Sequence, residues 1–113
     1  VGTITTNVTV ADDLAYLRMP YQFRLTEVRA SVFTAPVGSQ IEVDIEESGT
    51  TILSTLLRID NGEKTSTTSD PLAVISDYDL ADDAEMTVNV DAIGSGTAGA
   101  GLRVYLIGYR IRI

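Results

Sequence analysis

The sequence predicts an all-β protein: one antiparallel β-sandwich, jelly-roll-like, of about eight strands over residues 1–113. Three observations predict it. Apolar and polar residues alternate with period 2, most clearly where Ile41, Val43 and Ile45 share one parity and Glu42, Asp44 and Glu46 the other. Turn residues punctuate the chain at short intervals, among them Gly49, Asn61-Gly62 and Pro71. No stretch carries the 3.6 period of a long amphipathic helix, and the one weak helical alternative is Leu53–Leu57. An up-and-down barrel is the second architecture that this pattern allows.

The elements follow in order. Thr3–Val10 alternates Ile4, Val8 and Val10 against Thr and Asn, and reads as a first strand. Ala11-Asp12-Asp13 reads as a turn. Leu14–Met19 is a second strand, stopped by Pro20, which cannot donate to a ladder. In Phe23–Phe33 the apolar parity changes between Leu25 and Val28, so a bulge is expected near Thr26-Glu27. Residues 34–39 form a turn, and Gln40–Ile59 a hairpin closed at Glu47-Ser48-Gly49. Asn61-Gly62 makes a tight turn and Lys64–Pro71 a polar loop. Leu72–Ile75 is a short strand and Ser76–Asp83 an acidic connection. Glu85–Val90 turns Met86, Val88 and Val90 inward. Ile93–Gly101 is expected as a mobile, glycine-rich hairpin tip. The last strand, Leu102–Ile113, has Leu102, Val104 and Leu106 as one apolar set, and Tyr109, Ile111 and Ile113 as the next. The first and last strands are regular enough to pair.

Composition narrows the chemistry. A chain of 113 residues, 44% hydrophobic, is one domain that can bury about two-thirds of its unfolded surface. It has no Cys and no His, so Ser-His-Asp and Cys-His catalysis and thiolate metal sites are excluded. A formal net charge of −8 opposes binding to nucleic acid or to an anionic membrane surface. The longest apolar runs are far too short for a helical membrane span. The amino terminus lacks the basic start and apolar block of a signal peptide. With no Met at position 1, a processed chain or a piece of a longer one is expected.

Several clusters invite a chemical reading. Asp77, Asp79, Asp82 and Asp83 offer oxygens to Ca²⁺, but Gly and a closing Glu are not at EF-hand spacing, and backbone capping by Asp explains them. Glu42, Asp44 and Glu46 lie about 7 Å apart along a strand, within reach of paired-carboxylate glycoside chemistry. No His, Trp or second acidic strand accompanies them, so a solvated face is the simpler account. Gly94–Gly101 lacks the Lys and following helix of a phosphate-binding loop. We therefore expect no enzyme, no cofactor and no metal.

The basic residues are more informative. Seven of the eight are Arg, and most fall in strands. Arg18, Arg24, Arg29, Arg103, Arg110 and Arg112, with Tyr105 and Tyr109, are the expected interface residues. Arg and Tyr are enriched where proteins meet, because a planar fork and an amphipathic ring make contact at low entropic cost. Cross-strand ion pairs on an ordinary outer face would use the same residues.

A set of short strings gives the chain a family likeness. Arg18-Met19-Pro20-Tyr21, Leu25-Thr26-Glu27-Val28-Arg29-Ala30-Ser31, Val43-Asp44-Ile45, Ile52-Leu53-Ser54-Thr55 and Glu63-Lys64-Thr65-Ser66-Thr67 occur in that order. They are followed by Ala73-Val74-Ile75-Ser76-Asp77, Leu80-Ala81-Asp82-Asp83-Ala84-Glu85 and Gly99-Ala100-Gly101-Leu102. Together they resemble a small β domain of tailed-bacteriophage virion proteins, over about Leu17 to Gly108. The resemblance implies a virion location and a non-enzymatic structural role, with no catalytic motif to carry over. It implies first a capsid decoration or cement protein, expected as a homotrimer docked on the major capsid protein or on tail proteins. A tail-fibre or tail-tip domain for host recognition is the alternative, with residues 61–71 and 94–101 as its recognition loops, and a carbohydrate-binding module is a third. Tyr109–Ile113 extends past the matching part and is free to add to a neighbouring sheet.

Overall fold

An apolar face that alternates with an acidic one needs a second layer to cover it, and the central strand is placed accordingly. The computed structural model describes residues 5–111. In it Ile41, Val43 and Ile45 are almost wholly excluded from solvent. Fully burying one such side chain contributes about 1.5–3 kcal/mol.

Ten strands are present among the described residues: β1 Ala11–Arg18, β2 Phe23–Ser31, β3 Ile41–Glu47, β4 Thr50–Thr51, β5 Leu53–Thr55, β6 Leu57–Ile59, β7 Val74–Ile75, β8 Asp79–Leu80, β9 Glu85–Ala92 and β10 Arg103–Arg110. There is no α-helix among them, only a 3-10 turn at Ser66–Thr68. Every pairing is antiparallel. One sheet runs β1-β9-β3, with β4 and β6 sharing the far side of β3. A second runs β10-β2-β8, and β5 pairs with β7 in a small third. Leu25, Val28, Ala30 and Leu80 from the second sheet join Ile41, Val43, Ile45, Met86 and Val90 from the first in a single core. Two antiparallel sheets sharing one core are compatible with a β-sandwich.

Local chemistry explains the departures from eight regular strands. The β3 hairpin turns at Ser48 and Gly49, both with positive φ, the geometry that matches strand twist in a tight hairpin. Its return arm is broken because Ile52 and Leu53 are adjacent and both buried, which no flat strand allows. The chain bends there, β5 leaves to pair with β7, and β6 returns to lie opposite Ile41 and Val43. The expected bulge in β2 is present: Ile107 pairs with Glu27 and Gly108 with Leu25, leaving Thr26 as the extra residue. The Asn61-Gly62 turn is also present, and its Asn61 Oδ1 accepts the Gly38 amide at 2.9 Å.

Four expectations are corrected. Ala11-Asp12-Asp13 is not a turn but the start of β1, bulged where Asp13 takes a φ of 53° and donates its amide to Asn89 Oδ1 at 2.8 Å. Residues 5–10 make no strand, only a bridge from Asn7 to Ala100, and the rest of the expected Thr3–Val10 strand lies outside the described residues. Among the described residues, residues 5–10 form no ladder with the last strand: β10 lies on β2, and β1 on β9. The glycine-rich segment 93–101 is a packed crossover between the sheets rather than a mobile tip. The amides of Phe33 and Thr34 both bond to Ala100 O, and Gly99, at a φ of 98° that other residues rarely adopt, packs against Ile41 Cδ1.

Ile45→Ala is expected to lower unfolding free energy by about 2–5 kcal/mol. Gly108→Ala is expected to cost about 1–3 kcal/mol, because an added Cβ would overlap the Arg24 carbonyl oxygen. Denaturant midpoints of the two variants check both values.

Candidate docking face

Side chains opposite each other in an antiparallel ladder project to the same side. Across β10 and β2 the outward pairs are Arg103 with Ser31, Tyr105 with Arg29, Ile107 with Glu27 and Tyr109 with Arg24. The inward pairs are Val104 with Ala30 and Leu106 with Val28. The outer face of this sheet is thus a field of Arg and aromatic side chains, with Tyr105 45%, Ile107 38% and Tyr109 55% exposed. β8 adds Asp79 beside Arg24, and the Tyr78 ring lies 5.2 Å from the Arg24 guanidinium.

Five of the eight expected interface residues, Arg24, Arg29, Arg103, Tyr105 and Tyr109, therefore share one face. Arg110 stands at the end of β10 with the opposite parity, opposite Phe23, and its guanidinium lies 5.0 Å from the Tyr21 ring centre. Arg18 belongs to the other sheet. Its Nε donates to Tyr16 Oη at 2.9 Å, and it sits 3.7 Å from Asp83 and 3.8 Å from Glu85. Arg112 lies outside the described residues. Tyr109 does not start a new inward set after Gly108, because the extra residue of the bulge is on β2 and β10 keeps its parity. Ile107 and Tyr78 were not singled out from the sequence. Ile107 shares the odd positions with Tyr105 and Tyr109, a usable signal; Tyr78 has none, since nothing local marks β8.

The charges of this face divide into two kinds. Arg24 is ion-paired with Asp79, and Arg29 with Glu27. The hydrogen bond from Arg29 holds the Glu27 carboxyl below its ordinary range. Both pairs are solvent-exposed and add little to stability. Arg103 and Arg110 have no carboxylate partner among the described residues.

The opposite sheet presents carboxylates. Asp44 accepts from the Thr51 hydroxyl, Glu46 from Asn89 Nδ2 at 2.9 Å, and Glu42 stands opposite Arg58. Burial, then the charges of Asp44, Asp12, Glu42 and Glu46, raises the Asp91 carboxyl above its usual range. Burial likewise raises Glu47, although it accepts the Ala81 amide. In the acidic connection Asp79 serves Arg24, Asp83 serves Arg18, and Asp77 accepts the Asp79 amide at 3.3 Å. No three acidic side chains among the described residues converge tightly enough to hold a metal ion.

Two clefts flank the second sheet. One, of about 320 Å3, runs between β1 and β10 and is walled by Ala15, Leu17, Val88, Val104 and Leu106. The other, of about 460 Å3, lies beyond β2 between the 3-10 turn and β8, with Ser66, Thr67, Leu72 and Tyr78 on its walls. No family model, curated protein or solved structure matches the chain.

The raised carboxyls set a pH dependence. Asp91 and Glu47 bind protons more tightly when folded, so their ionisation disfavours the fold above their folded pKa values. That penalty fades as pH falls towards their unfolded values. Glu27 works the other way, its contribution being lost as pH falls through its lowered folded value. Acidification from about pH 7 to about pH 5 moves towards those unfolded values, so Asp91 and Glu47 are expected to contribute a rise in Tm. Asp91→Asn should raise Tm at neutral pH and reduce that rise, as read by scanning calorimetry at the two pH values.

Proposed function

We propose that this chain is a non-enzymatic structural protein of a tailed-bacteriophage virion, a capsid decoration or cement protein acting as a homotrimer. The observation that carries the reading is the outer face of β10-β2-β8, where Tyr105, Ile107 and Tyr109 are exposed between Arg24, Arg29 and Arg103. Aromatic and Arg side chains exposed together on one sheet face are chemistry for burial against another protein. The resemblance of the ordered strings to a phage β domain is what suggests the virion context. The nested pairings β1 with β9, β2 with β8 and β3 with β6 support a jelly-roll variant, since a long hairpin coiled on itself nests its strands this way.

In this mechanism the protein does mechanical work. Apolar burial and charge-assisted hydrogen bonds from Arg bridge neighbouring capsomers and raise the barrier to shell opening. Recognition of the host surface is a second reading, supported by the cleft beside Ser66, Thr67 and Tyr78, which borders one of the two expected recognition loops.

Immunogold labelling of intact virions tests the first reading. Label over the head, together with capsids that become heat-fragile yet still adsorb when the chain is missing, is the expected result. Label confined to the tail end would overturn it in favour of host recognition. Tyr105→Ala with Ile107→Ser is expected to leave the fold intact and lower capsid occupancy by at least about ten-fold.

A further inference from the structure

The rim of β10 carries a narrower site than the face beside it. β10 is an edge strand: β2 covers one side, and no described residue pairs with the other. Ladder parity decides which backbone groups are left over. On β2 the amides of Leu25 and Ala30 point away from β10, to Tyr78 O at 2.8 Å and Ser66 Oγ at 2.9 Å. Glu27 and Arg29 therefore face β10 and bond with Ile107 and Tyr105. Ile111, of the same odd parity, donates its amide to Gln22 O. The amides and carbonyls of Val104, Leu106, Gly108 and Arg110 consequently point outward, off the sheet.

Edge strands are usually blunted against strangers by charge, proline or a bulge. β1 is blunted in this way, by Asp12 and the left-handed Asp13. β10 is not: between Arg103 and Arg110 it has no proline, no inward charge and no extra residue of its own. Beneath its edge lies the apolar cleft walled by Leu17, Val88, Val104 and Leu106, with Leu17 48% exposed. At the two ends stand Arg103 and Arg110, both without a carboxylate partner among the described residues and roughly 24 Å apart along the strand.

We propose that the free edge of β10 is a strand-addition site for an extended segment of a partner protein. The segment is about eight residues long, apolar at alternate positions, with a carboxylate at each end, so that the two carboxylates fall on opposite faces as Arg103 and Arg110 do. Its backbone continues the sheet against Val104, Leu106 and Gly108, its apolar side chains close over the cleft, and its carboxylates meet Arg103 and Arg110. A second copy of this chain is the poorer occupant. Pairing two β10 strands gathers Arg103 and Arg110 of both copies at one joint and brings no carboxylate on either strand. The inference deepens the docking reading above and rests on it for the partner's being a virion protein; the site itself rests on the geometry of β10.

The test uses the whole chain and a labelled peptide of about eight residues, valine alternating with threonine between a glutamate at each end, followed by fluorescence anisotropy. Saturable binding is expected. N-methylation of one alternate set of peptide amides should weaken it by at least about ten-fold, and of the other set should leave it unchanged, because only one set faces β10. Arg103→Gln with Arg110→Gln, tested for folding by circular dichroism, should also weaken binding by at least about ten-fold. The proposal is overturned if both methylated peptides bind like the parent, or if no binding occurs at millimolar peptide. It is equally overturned if an Ile107→Cys variant forms a β10-to-β10 disulfide dimer and the peptide fails to displace the non-covalent dimer of the parent chain. Loss of peptide binding with head labelling intact would sink the edge site alone, whereas tail labelling with peptide binding intact would sink the cement role alone.

Discussion

Everything in this fold depends on covering one face of β3. Ile41, Val43 and Ile45 need a ceiling, and β2 with β8 supplies it through Leu25, Val28, Ala30 and Leu80. Because β3 is hydrogen-bonded on both flanks, to β9 and to β4 and β6, it cannot shift register without turning its acidic face into the core. The strands around it inherit their positions from that restriction. β9 must present Met86 and Val90 to the same core, and β2 must bulge at Thr26 so that both Leu25 and Val28 point inward.

The two sheets then differ in what they show outside. The β3–β9 side displays carboxylates close enough together to raise the Asp91 carboxyl. The β10–β2 side displays rings and guanidinium groups, some neutralised within the chain and some not. In a chain of strongly negative net charge, Arg103 and Arg110 of β10 thus keep their charges without a carboxylate partner among the described residues. That segregation orients an approaching partner more than it strengthens the final contact.

Much of this was legible in the residues themselves, and the limit is physical. Parity in Ile41–Ile45, the stop at Pro20, the bulge at Thr26 and the Asn61-Gly62 turn are local effects, so the chain advertises them. β8 was hidden because a two-residue strand inside an acidic stretch has no period, though Leu80 is fully buried. The start of β1 was hidden because Asp13 is held by Asn89, 76 residues away. For the docking face, the Arg and Tyr residues of β10 and β2 were readable from composition and alternation. That Arg18 lies on the other sheet was not readable, since which sheet a strand joins is a tertiary matter.

The crossover 93–101 has a further consequence. Ala100 bonds to Phe33 and Thr34, Gly101 to Thr6 O, and Val8 to Gly99 O. One short segment thereby ties together two regions, residues 6–8 and 33–34, that are far from it and from each other in the chain. Closing such distant joins is slow, because the chain loses its freedom before the contacts repay it. A substitution in this segment is therefore felt at both of those distant places at once.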